Sequence, residues 1–90
     1  MNKERRAALA KLHAELDELK AKVEDVKNQV EGLKDEEQEA YDNMPESFQN
    51  GDRGEQASEK LDQMDTAMSS LDQAVSEMEE ALSSLDDASQ

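Results

Sequence analysis

The stretch LAKLHAELDELKAKVEDVKNQVEGL, residues 9–33, decides the fold when it is laid beside LDQMDTAMSSLDQAVSEMEEALSSL, residues 61–85. In the first, apolar side chains fall at Leu9, Leu12, Leu16, Leu19, Val23, Val26, Val30 and Leu33. In the second they fall at Leu61, Met64, Met68, Leu71, Val75, Met78, Leu82 and Leu85. Both rows step by three and four residues without a break, the a/d seam of a coiled coil. With Leu9 at a, the d row of the first helix is Leu12, Leu19, Val26 and Leu33. The e row is Arg6, His13, Lys20 and Lys27.

Composition agrees with an assembly of helices. Of 90 residues, 34% are apolar and 38% charged, with one Tyr, one Phe and no Trp. A globular core needs bulk that these residues do not supply, and a disordered chain has no reason to keep a seven-residue period. The expected organisation is one helical-hairpin domain over 1–90, with a helix over 3–40, a linker over 41–54 and a helix over 55–87. Pro45 disfavours helix at Met44 and suits the first turn of a short helical piece ended by Gly51. Asp52 and Glu55 have the spacing of a capping box, which places the start of the second long helix there.

Folding the two rows antiparallel pairs a with d in one register: Leu9 with Leu85, Leu16 with Met78, Val23 with Leu71, Val30 with Met64. The fold point is near Ser47. This register sets e against e, giving Arg6 with Asp86, His13 with Glu79, Lys20 with Asp72 and Lys27 with Asp65. A g pair, Glu36 with Lys60, adds to these. Exposed pairs of this kind select orientation more than they stabilise. The second helix also carries Ala67, Ala74 and Ala81 at g, beside the seam. Small side chains there let another helix approach, so two hairpins are expected to dimerise into a four-helix bundle with these alanines at the interface.

The chemistry of catalysis is missing. There is no Cys, a single His, no Gly-rich phosphate cradle and no nucleophile beside a base. His13 faces the second helix with too few further ligands for a metal site. The linker DNMPESFQNGD fails as a calcium loop, because Phe48 falls where a carboxylate is needed. No enzyme activity, cofactor or metal is expected. The longest apolar run, Ala7 to Ala10, is far short of a membrane span. A soluble protein of the cytoplasm is the expectation.

The formal charge of -14 is unevenly placed. Residues 1–34 hold eight Lys/Arg and seven Asp/Glu, a net +1; residues 35–90 hold two and seventeen, a net -15. Direct nucleic-acid or anionic-membrane binding is therefore disfavoured, and a protein with a basic surface, or another copy of the chain, is the expected partner. Two surfaces are candidates: the linker, with Tyr41, Met44 and Phe48, and the acidic back of the second helix, with Glu77, Glu80 and Asp87. Carboxylates at i and i+4 stand about 6 Å apart, near the phosphate repeat of a nucleic-acid strand. The alternative function is therefore a nucleic-acid mimic that blocks a basic groove.

The segment EEQEAYDNMPESFQNGDRGE, Glu36 to Glu55, resembles the linker of small acidic two-helix proteins encoded by bacteriophages and prophages. In that group a Lys/Glu-rich heptad helix precedes a Tyr-Asp-Asn-x-Pro-Glu-Ser turn and an Ala/Asp/Glu/Ser-rich heptad helix follows. The group carries no established activity, so the resemblance transfers no functional residues. It implies a phage or mobile-element accessory protein in a bacterial cytoplasm, acting by protein–protein interaction.

Overall fold

The computed structural model describes residues 1–90 and is all-α: α1 (Lys3–Asp42), the four-residue α2 (Glu46–Gln49) and α3 (Asp52–Ser89). The chain is an antiparallel coiled-coil helical hairpin. Two compact units divide it, one of Met1–Asp25 with Leu71–Gln90 and one of Val26–Ser70. Each unit therefore contains a stretch of α1 and a stretch of α3. Asn2 caps α1, its Oδ1 accepting from the Arg5 backbone N–H at 2.8 Å. The helix then runs two residues past the expected end at Ala40, so Tyr41 is helical.

Helix α3 keeps the stripe the sequence prescribes. Ala57, Leu61 and Leu82 are buried, and Met64, Met68, Leu71, Val75, Met78 and Leu85 are half-buried along the same face. Helix α1 does not. Its half-buried positions are Leu9, His13, Leu16, Lys20, Val23, Lys27, Val30, Lys34, Glu37 and Tyr41, which are rows a and e. The d row, expected in the seam, stands out in water: Leu12 is 51% exposed, Leu19 51%, Val26 50% and Leu33 58%. Relative to the a/d seam, the contact stripe of α1 is displaced by about 50° around the helix.

The displacement brings long cationic side chains inward. Lys20 and Lys34 are only about a quarter exposed, their stems laid against the hairpin and their ammonium heads at its surface. Lys20 Nζ stands 3.4 Å from Glu79 Oε1, and Lys34 pairs with Asp65. These partners differ from the expected ones, which were Asp72 for Lys20 and Lys27 for Asp65. The reason is the lean of helical side chains toward the N-terminus of their own helix. Residues level with each other across an antiparallel pair lean apart. Residues offset so that they lean together make the bond, and each observed partner lies one heptad from the expected one. Arg6 is likewise not spent on Asp86: its guanidinium folds back to donate to the Met1 carbonyl at 3.0 and 3.2 Å.

The turn is tightly specified. Pro45 occupies the N-cap of α2 with φ -56° and ψ 145°. Its carbonyl accepts from the backbone N–H groups of Phe48 and Gln49 at 2.8 and 3.1 Å. Helices α1 and α3 meet it symmetrically, ending at Asp42 and starting at Asp52, five residues either side of Ser47. Asp52 is the first residue of α3 instead of a cap outside it, and the Gly51 carbonyl accepts the Glu55 N–H at 3.1 Å. No glycine uses a positive φ. The glycine that matters is Gly54, which is buried: a Cβ there would lie 1.9 Å from the Gln49 carbonyl oxygen and 2.4 Å from its carbon. Only a residue without a side chain lets the backbone of α2 lie on the start of α3.

Two glycine substitutions should therefore move in opposite directions. Gly54→Ala must displace Gln49 and should lower unfolding free energy by about 1–3 kcal/mol. Gly32→Ala meets nothing within 4 Å and should raise it by about 1 kcal/mol through helix propensity. Urea denaturation followed by circular dichroism measures both.

Candidate interaction surfaces

The turn is built around Gln49. This half-buried side chain donates from Nε2 to the Tyr41 carbonyl at 2.9 Å and to the Met44 carbonyl at 3.3 Å. It thereby satisfies an end of α1 that the helix itself leaves open. The Met44 N–H also bonds the Tyr41 carbonyl, at 3.1 Å. Of the three linker residues singled out by sequence, Tyr41 and Met44 are half-buried. Phe48 is 49% exposed, and the Arg53 guanidinium stands 5.8 Å from its ring centroid. An aromatic ring is thus presented on a braced turn with a cation over its face. Neither Gln49 nor Gly54 was marked by the sequence patterns as special. The sequence reading puts Gly54 last in the linker; it lies instead in the first turn of α3, where glycine is unfavourable without a packing reason.

The acidic candidates are all at the surface: Glu77, Glu80 and Asp87 lie exposed on α3 in the first unit. In the second unit a shallow acidic groove on α3 is lined by Asp52, Glu55, Glu59 and Asp62 with Gln56 and Ser58. No group of three or more His, Asp or Glu side chains is placed to hold a metal ion. Of the alanines, Ala67 and Ala81 are exposed and Ala74 is half-buried. No helix is long and apolar enough to cross a membrane.

Electrostatics within each unit centre on the two lysines. Partial loss of water lowers the Lys20 pKa, but the hydrogen bond and charge of Glu79, with Glu24 and Asp17 nearby, outweigh it and hold the group above its ordinary 10.5. For Lys34 the hydrogen bond to Asp65 is the dominant cause, and the pKa is likewise raised above 10.5. A raised lysine pKa favours the folded state below the unfolded value and ceases to do so as pH climbs through the folded one. The contribution is therefore complete at neutral pH and disappears above 10.5. The double variant Lys20→Met/Lys34→Met should melt lower than the parent at pH 8 and show a smaller further fall when taken above pH 10.5, in parallel thermal melts.

No protein-family model matches the chain, and no curated protein or solved structure does.

Proposed function

We propose that this protein is a non-enzymatic interaction module, a phage or mobile-element accessory protein of the bacterial cytoplasm that engages a partner with a basic surface. The observation that carries the reading is the braced turn: Phe48 is held out in water by a segment whose backbone is tied down at Gln49 and Gly54. Such preorganisation lowers the entropy lost on binding, and exposed aromatic anchors are strong contributors to interfaces. The acidic residues Glu77, Glu80 and Asp87 supply a second surface, suited to steering a basic partner. The module works as a homo-oligomer, with two hairpins closing a four-helix bundle on the alanine side of α3.

A second reading, mimicry of a nucleic acid, is favoured by one observation. The carboxylates Glu77, Glu80 and Asp87 of α3 are all exposed and open to a partner. The two readings part in a pull-down from a bacterial lysate followed by binding measurements on the recovered protein. An interaction module of the turn type loses at least tenfold in affinity on Phe48→Ala and little on Glu77→Lys/Glu80→Lys/Asp87→Lys. A mimic shows the reverse, with steep salt dependence and competition by duplex DNA. Affinity unchanged by either set of substitutions would sink both.

A further inference from the structure

We infer that the d row of α1, Leu12, Leu19, Val26 and Leu33, is the seam through which a second copy of this chain docks. The inference rests on the self-association proposed above and gives it a different principal surface from the alanines alone. These four residues recur every seven positions on one helix and are each at least half exposed. A monomeric hairpin gains nothing from keeping four large aliphatic side chains in water.

The occupant is identified by what the same chain carries on the same side. Around a helix, d lies next to g and a next to e; across an antiparallel pair, e faces e and g faces g. The pairs of Lys20 with Glu79 and Lys34 with Asp65 mark the e side. The d row of α1 is therefore turned to the g side, where α3 carries Ala67, Ala74 and Ala81. In the first unit Leu12 and Leu19 share that side with Ala74 and Ala81; in the second, Val26 and Leu33 share it with Ala67. Large side chains at a spacing of seven on one helix, and small ones at the same spacing on the other, are the two halves of a knob-and-hole match. Setting α1 of each copy over α3 of the other uses both halves twice, as a two-fold interface requires.

Charge permits this face and opposes others. The c row of α3 next to the alanines reads Gln63, Ser70, Glu77 and Ser84, with one carboxylate. The remaining acids of the helix lie toward its e, f and b rows. Residues 1–34, most of α1, are near neutral at +1, so pairing α1 with the α3 of a second copy avoids facing two acidic helices.

The test is the solution mass of the full chain by sedimentation velocity, with helicity read by circular dichroism. The parent should sediment as a dimer, at twice 10.1 kDa. Leu12→Gln/Leu19→Gln/Val26→Gln/Leu33→Gln should halve that mass while helicity persists, because these side chains are already half in water. Should that variant unfold, Ala67→Gln/Ala81→Gln serves instead, since both alanines are exposed in the hairpin; it too should give a folded monomer. A parent that is monomeric overturns this seam and the self-association with it. A parent dimer that survives either folded variant overturns the seam alone, leaving self-association through another face.

Discussion

Everything in this structure is hung from one close approach, the backbone of Gln49 lying on Gly54. That contact places the last turn of α1, the four residues of α2 and the first turn of α3 within reach of one another. The Gln49 amide then closes the gap by donating to the carbonyls of Tyr41 and Met44. Heptad helices alone are poor at choosing a register, because a slip of seven residues restores the same pattern. A short turn with one permitted packing removes that freedom. The symmetric placement of Asp42 and Asp52 about Ser47 follows from it.

Along the arms, two requirements compete for the same face of α1. Apolar burial asks for rows a and d, while the acidic flank of α3 asks for the basic e row. Exposed ion pairs contribute little individually, and a fully buried Leu contributes about 1.5–3 kcal/mol. By that comparison the d row should have won. It is instead the lysine stems that cover the seam, giving apolar contact from their methylenes and charge pairing from their heads. The outcome is a hairpin with three buried apolar side chains, Ala57, Leu61 and Leu82, and no fully buried large side chain. Such a core is thin for two helices of 40 and 38 residues.

The features legible in the sequence were those that repeat. A period of seven over eight positions identifies a helix and its apolar side, and the single Pro with its neighbouring glycines marks the turn. The short helix from Pro45 to Asn50 could be read because proline fixes its own φ and leaves few alternatives. What escaped were quantities that a wheel diagram does not contain. The rotation of α1 depends on how far a lysine reaches, which residue class alone does not reveal. The ion-pair partners depend on the lean of side chains, so pairing by level missed Glu79 for Lys20 and Lys34 for Asp65. Of the surface candidates, Phe48, Glu77, Glu80 and Asp87 are exposed as a polar or turn assignment implies. Tyr41 and Met44 are half-buried, and the role of Gln49 arises from a three-dimensional encounter with carbonyls up to eight positions away.

The contrast between a unique turn and interchangeable arms bears on how such a chain can change over generations. Each heptad of α1 presents the same kinds of group to α3 as the next. Removing or adding one heptad in both arms together preserves every layer that remains and leaves the turn untouched. A change of three or four residues in one arm alone rotates all that lies beyond it. Length is therefore free to change in paired steps of seven, whereas in the turn Pro45, Gln49 and Gly54 each meet a geometric demand that a substitution would break.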